Sequence, residues 1–225
     1  MTQAQITTIK SRISNILENS LAISAAQSSM LLPISALQGK LYEASVLAEI
    51  CHRLNVDEGF NLRLINNNNI MLKQKGGPVN RYYPYIEVYS SSHLVAELWT
   101  DIEFTTMSHN INGSNSILTR QDYHELDIAL TCPNISNRPS FEQIYMAVEC
   151  KNTKIEKRVI REILGYRREM SLLSSNKRTI FSNFPTNIVP SSPNSVHLFY
   201  CSDQNVLHYF DNCKIFGTLL IHYTM

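Results

Sequence analysis

The sequence predicts an α/β fold on a mixed sheet, α+β in character, and three observations carry that expectation. Apolar residues recur at helical spacing in two segments before residue 56. Between residues 60 and 151, short runs rich in Val, Ile, Tyr and Phe are punctuated by Gly, Asn and Pro, as in strands joined by turns. A sharply two-sided helix then separates an apolar strand from later strands. With 225 residues the chain can bury one sizeable core, or one core with a large insertion.

In chain order, Ile6, Ile9, Ile13, Ile16, Leu17 and Leu21 place a helix over about Gln3 to Ser28, ended by Leu32-Pro33. A second helix covers about Gly39 to Asn55. Strands are expected at Phe60 to Asn66, Ile70 to Lys75, Tyr83 to Ser90 and Leu94 to Thr105. The Asn66 to Asn69 run and the Gly76-Gly77-Pro78 turn separate them. Ser108 to Ser116 is polar and reads as a mobile loop. Strands follow at Glu125 to Thr131 and Ile144 to Lys151, divided by a loop with Pro133 and Pro139. Next come a helix over about Ile155 to Ser174 and strands at Arg178 to Phe184, Val196 to Cys201 and Ile215 to Tyr223. The organisation expected is a single domain. Residues 1–35 form an N-terminal helical extension, 39–184 a core with a β-rich insertion at about 60–120, and 185–225 C-terminal strands.

No apolar run reaches bilayer length, and the first residues lack the basic-then-apolar pattern of a signal peptide. The five cysteines, Cys51, Cys132, Cys150, Cys201 and Cys213, form no Cys-x-x-Cys, so buried free thiols in a reducing cytoplasm are expected. A net charge of +1 argues against a general nucleic-acid coat. The distribution says more. Nine of the 20 Lys and Arg lie between Lys151 and Arg178, against Glu156, Glu162 and Glu169 as the acidic residues there.

Glu149-Cys150-Lys151 ends the apolar run Ile144 to Val148. Strand alternation points Glu149 and Lys151 one way and Met146, Val148 and Cys150 the other. A carboxylate beside an ammonium at the end of a core strand is costly to desolvate, which marks a site in preference to packing. Asp127 lies on the preceding strand, with Leu126, Ile128 and Leu130 expected on the opposite face. Two carboxylates on neighbouring strands suit a hard cation such as Mg²⁺, and a lysine beside them can orient a water. Glu43 falls within the apolar stripe of Val46, Leu47, Ile50 and Leu54, so it either lies on an exposed first turn beyond the core or needs a partner: a basic residue in an ion pair, or the acidic site itself. The last helix sets Ile155, Val159, Ile160, Ile163, Tyr166 and Met170 on one side. Lys154, Lys157, Arg158, Arg161 and Arg168 form a narrow arc opposite, either a solvated face or a wall for a phosphate backbone.

These residues resemble the PD-(D/E)XK nuclease superfamily, with its restriction-endonuclease-like αβββαβ core. The likeness spans residues 39–184: a helix with Glu43, Asp127 on one strand, Glu149-x-Lys151 on the next, then a helix and a strand. Leu126 stands where the family often has proline, and the long Glu43 to Asp127 interval implies an insertion. The resemblance implies Mg²⁺-dependent phosphodiester hydrolysis, usually of DNA, with Mn²⁺ as a substitute metal. Asp127, Glu149 and the carbonyl of Cys150 would hold the metal. Glu43 would contact the metal or its water, and Lys151 would orient the attacking water. A role in microbial defence or a mobile element, as an endodeoxyribonuclease, also follows from the resemblance alone.

Other residues carry milder expectations. Glu97, Trp99, Asp101 and Glu103 share a strand face read as a solvated outer surface, with Asp101 and Glu103 as extra ligands should it abut the site. Glu125 is a neighbour of Asp127, and His124 a surface histidine. Tyr82, Tyr83 and Tyr85 suit strand packing better than base stacking. No His spacing fits zinc. The alternative to an enzyme is a catalytically inactive nuclease-fold subunit that binds nucleic acid or a partner protein. The Ile-rich N-terminal helix would serve either as an oligomer or partner surface, or as a helix docked on its own domain.

Overall fold

The computed structural model describes residues 2–29, 38–66, 76–113 and 117–225. The expected break at Leu32-Pro33, the expected strand Ile70 to Lys75, most of the Asn66 to Asn69 run and the end of the Ser108 to Ser116 loop lie outside the described residues.

The N-terminal segment forms two helices. Helix α1 (Gln3–Leu21) starts in a Thr2/Gln5 capping box and ends at Ala22, whose φ of 51° is left-handed. Ser24 and Gln27 exchange backbone-to-side-chain hydrogen bonds in a second such box, which starts α2 (Ala25–Ser29). Helix α3 (Gln38–Val56) buries Val46, Leu47, Ile50 and Leu54 completely or nearly so. Ile13, Leu17 and Leu21 of α1 pack in the same core cluster, with Ile9 and Ile16 at its margin. The buried part of the Ile-rich stripe is thus taken up within the chain, as in a helix docked on its own domain, while Ile6, Ile9 and Ile16 stay half-buried.

Among the described residues seven strands form one sheet. They are β1 (Asn61–Ile65), β2 (Tyr85–Ser90), β3 (His93–Thr105), β4 (Tyr123–Thr131), β5 (Ile144–Lys151), β8 (Val196–Cys201) and β9 (Thr218–His222). The order is β1-β2-β3-β4-β5-β8-β9, antiparallel through β5 and parallel from β5 to β9. The stretch read as an insertion thus supplies β1, β2 and β3 of the central sheet, and the C-terminal strands complete it. Helix α4 (Met107–Asn112) replaces the start of the expected loop because Thr106 caps it, its hydroxyl accepting from the His109 N–H at 3.3 Å.

Helix α5 (Lys157–Met170) carries the chain from β5 toward β8. It ends earlier than expected, and Leu172–Arg178 is strand β6, paired with β7 (Ile188–Ser192) in a separate two-stranded ribbon. Residues 179–187 are not a strand, so Arg178 to Phe184 is corrected to a loop after β6. A polar, mostly exposed strand such as β6 has no apolar alternation to place it in a core sheet. The main-sheet strand after α5 is β8, whose residues are all buried. A short helix α6 (Phe210–Lys214) precedes β9.

Helices cover both faces of the sheet. Val196, Leu198 and Tyr200 of β8 face the α1/α3 cluster, while Phe199 and Cys201 face Ile160 and Ile163 of α5. All five cysteines are free, four of them buried. No helix among the described residues is long and apolar enough to cross a membrane.

Candidate functional site: an acidic cluster where the sheet forks

β4 and β5 pair only from Ile128↔Val148 toward Thr131↔Ile144. Beyond that point β4 remains paired with β3, and β5 with β8, so the sheet forks at Asp127 and Glu149. Asp127 takes over at the fork: its Oδ2 accepts the Cys150 N–H at 2.7 Å. A side-chain carboxylate there replaces the main-chain acceptor that a continued ladder would offer.

A second irregularity sits opposite. The pairs Thr100↔Ile128 and Ile102↔Leu126 place Asp101 across from Asp127. Asp101 has a φ of 49°, which an L-residue reaches only against a steric cost. The strand's facing inverts there. Ala96 and Leu98 pack with the α1/α3 cluster, whereas Ile102 and Phe104 pack with Trp99 on the other side. β4 does the same: Leu126 joins Phe104, while Ile128 and Leu130 join α3. The expected single face for Leu126, Ile128 and Leu130 is thus corrected, because the backbone turns over at the two aspartates.

Glu43 completes the group from α3. Glu43, Asp101 and Asp127 each offer an oxygen within 4.8 Å of the other two. Lys40, one turn before Glu43, gives its Nζ to Glu43 Oε2 at 2.6 Å and to Asp101 Oδ1 at 2.7 Å. Both readings of Glu43 are therefore realised, as an ion pair and as a member of the acidic site. Asp101 is wholly buried, and among the described residues its Oδ2 has no hydrogen-bond partner. The solvated outer face expected for Glu97, Trp99 and Asp101 is corrected: all three are buried, and Glu103 is half-buried against Arg138 at 2.7 Å.

The charges are out of balance. Burial pushes the Glu43 carboxyl up to about 7; the Lys40 hydrogen bond opposes this, and Asp127 adds to it. Asp101 is pushed up to about 6, again by burial, against the pull of Lys40. Asp127 is raised by burial despite its Cys150 N–H and the charges of Lys151 and Lys40. Burial works against the charge of Lys40, but the hydrogen bonds from Asp101 and Glu43 raise its pKa overall. Three carboxylates and one ammonium leave a deficit of positive charge in a poorly solvated place.

That chemistry fits a hard divalent cation. Oxygen donors converge, one buried oxygen lacks any partner, and a cation's charge would favour the ionised acids. The acidic group able to hold a cation differs from the set the resemblance implied, with Asp101 beside Glu43 and Asp127 where Glu149 is expected. Glu149 lies across the fork and is buried; burial and the Asp127 charge hold its pKa well above the usual range. Its β5 neighbours Val148 and Cys150 face α3, so Glu149 faces α5, where Tyr166 and Glu162 feel its charge. Cys150 touches the site through its N–H to Asp127. Lys151 is half-buried at the strand end, and among the described residues no carboxylate lies within ion-pair distance of its ammonium.

Lys154, Lys157, Arg158, Arg161 and Arg168 are all exposed, and Arg158 pairs with Glu156 at 2.8 Å. His124 is half-buried, with Tyr166 edge-on at 4.9 Å, and burial lowers its pKa, which corrects its reading as a surface histidine. Tyr85 stacks on Trp99 at 4.3 Å as strand packing, whereas Tyr82 stands exposed in the turn before β2. Glu125 is exposed and packs over Gly76, where an added Cβ would meet its carboxyl carbon at 2.2 Å.

Lys40 was missed in the sequence, although it lies three residues before Glu43 on one helix face. Asp101 reads from the sequence as part of an outer face, because period-two alternation cannot reveal a reversal of facing. No family model, no curated protein and no solved structure matches the chain.

Proposed function

We propose that the chain is a divalent-metal-dependent nuclease of the PD-(D/E)XK kind that hydrolyses phosphodiester bonds in DNA. The observation that carries this reading is the convergence of Glu43, Asp101 and Asp127 around a buried, unpartnered Asp101 oxygen, one strand away from Glu149-x-Lys151. Glu43, Asp101 and Asp127 would hold Mg²⁺ or Mn²⁺. A cation there would supply Lewis acidity toward a phosphoryl oxygen and toward the attacking water.

The chain's own groups do the rest. Lys151, with no carboxylate bound to its ammonium, is available to orient the water and to stabilise charge developing on a phosphoryl oxygen. Glu149, its carboxyl held above the usual range by burial and by Asp127, would be favoured in its ionised form by a cation at the fork and would then be able to accept a hydrogen bond from that water. Lys157, Arg158, Arg161 and Arg168 stand exposed on the helix that follows Lys151, with Lys154 corrected to the loop before it, and this arc would meet the phosphate backbone through charge, with counterion release.

The test is relaxation and linearisation of supercoiled plasmid in Mg²⁺, with EDTA and with Asp127→Asn and Lys151→Ala as controls. Cutting that requires Mg²⁺ and is lost in both variants supports the reading. Cutting that survives EDTA and both substitutions removes the site from consideration.

One observation favours a second reading, a non-catalytic subunit that keeps the fold to bind nucleic acid or a partner. Lys40 already bridges two of the three carboxylates, as in a structural ion network. Calorimetric Mn²⁺ titration separates the two: no heat of binding, and no change on Asp127→Ala, selects the non-catalytic subunit.

A further inference from the structure

Arg167 lies on the buried side of α5, in line with Ile160, Ile163 and Met170. Only 3 % of it is exposed. Its Nε donates to the Phe216 carbonyl at 2.8 Å, Nη1 to Ser195 Oγ at 3.1 Å and Nη2 to the Ser195 carbonyl at 2.8 Å. Those acceptors are neutral, and among the described residues no carboxylate pairs with Arg167. The nearby His197 is fully buried and held neutral, its pKa pushed down to about 3 by burial and by Arg167. A buried guanidinium without a counter-charge is costly, and burial lowers even its pKa to about 10.

A cavity of about 230 Å³ opens beside this group, lined by Leu164, Arg167, Arg168, Ser171, Leu173 and Phe216. Ser171 is 4 % exposed, and among the described residues its Oγ has no hydrogen-bond partner. The cavity therefore sets two arginines beside an apolar wall, with the Ser171 hydroxyl buried out of its reach. Gly217 keeps the backbone close: an added Cβ would meet Arg167 Nη2 at 2.7 Å and Val189 at 2.6 Å. Gly217 and Ser195 precede the parallel strands β9 and β8, whereas Lys151 ends β5, so this cavity lies at the opposite end of those strands from the fork.

We infer that this cavity is a binding site for a small organic anion, a single carboxylate or phosphate head on a short apolar body. The head completes the charge of Arg167 and Arg168. The body lies against Leu164, Leu173 and Phe216. The volume falls below the roughly 300–1,000 Å³ of drug-sized ligand pockets, which suits a ligand of few heavy atoms.

The experiment is NMR titration of the full chain in EDTA with benzoate, phenyl phosphate and neutral benzamide, so that failure of the metal site cannot affect it. Saturable millimolar binding of either anion, without benzamide binding, supports the site, and the tighter anion identifies the head group. Arg168→Ala should weaken that anion about fivefold, and Leu173→Trp should block it, both without touching the buried Arg167. No saturation by either anion, equal binding of benzamide, or affinities unchanged in both variants would overturn the inference.

Discussion

Glu97 and Asp101 lie on the same strand, four residues apart, and neither side chain has exposed surface. Around Glu97 every need is met. Arg81 Nη2 donates to both of its oxygens, at 2.8 and 2.7 Å, and the Asn134 N–H adds a third hydrogen bond at 3.0 Å. Arg81 itself lies over the stacked rings of Tyr85 and Trp99. Around Asp101 the opposite holds: a left-handed backbone, two further carboxylates, one shared lysine and an oxygen with no partner. A saturated buried carboxylate reads as structure. An unsaturated one among other acids reads as a place for a cation.

Arg81→Met tests the closed half of that contrast. It strands Glu97 and should cost about 3 kcal/mol of stability in urea unfolding, with Mn²⁺ affinity of the folded protein unchanged. A loss of Mn²⁺ affinity as large as that of a site variant would merge the two regions.

Asp101→Asn tests the open half. It removes a charge that the metal-free protein holds at a cost, so unfolding should be unchanged or shifted toward greater stability. Mn²⁺ affinity should fall by at least the roughly 10–100-fold typical of outer-shell partners. An unaltered affinity would return Asp101 to a structural role.

Lys40→Met removes the ammonium that offsets Glu43 and Asp101. The metal-free protein should lose about 2 kcal/mol at pH 8, and added Mn²⁺ should restore it with severalfold tighter binding. Weaker Mn²⁺ binding in this variant would make Lys40 part of the site and not its internal competitor.

The pH dependence follows from the raised carboxyls. Glu43 moves from 4.5 to about 7 and Asp101 from 3.8 to about 6, so between pH 4 and 7 the folded state binds more protons than the unfolded one. These groups therefore make the metal-free protein less stable as pH rises through that window, and add no slope below it. His197, lowered to about 3, gives the opposite slope up to its ordinary 6.5, but it is common to both forms and cancels in a difference. The rise in unfolding temperature caused by Mn²⁺ should thus be larger at pH 8 than at pH 5.5, because binding releases protons from these acids. Equal shifts at both pH values would contradict the assignment.

Glu149→Gln gives the smallest expected change in metal affinity, a few-fold, because its carboxyl faces α5. A loss equal to that of Asp101→Asn would put Glu149 back into the ligand set.

Much of this arrangement was legible in the sequence. Strand β5 and strand β8 fall where apolar content placed them, and Glu43 stood out as an acid inside an apolar helical stripe. Arg167 carried the same signal, lying in line with Ile160, Ile163 and Met170, and was passed over among its basic neighbours. The reversal of facing at Asp101 was not legible, because nothing in a period-two pattern records a left-handed residue within a strand. The ribbon of β6 and β7 escaped for a related reason: Leu172–Arg178 is mostly polar and exposed, and a strand outside the core leaves no apolar trace.

The central claim is that Glu43, Asp101 and Asp127 together hold a divalent cation. Calorimetric titration of Mn²⁺ into the wild-type chain and into Asp127→Asn at pH 7.5 tests it most directly. Saturable binding in the wild type that disappears in the variant is the expected result. Absence of binding in the wild type, or equal binding in both, would contradict it.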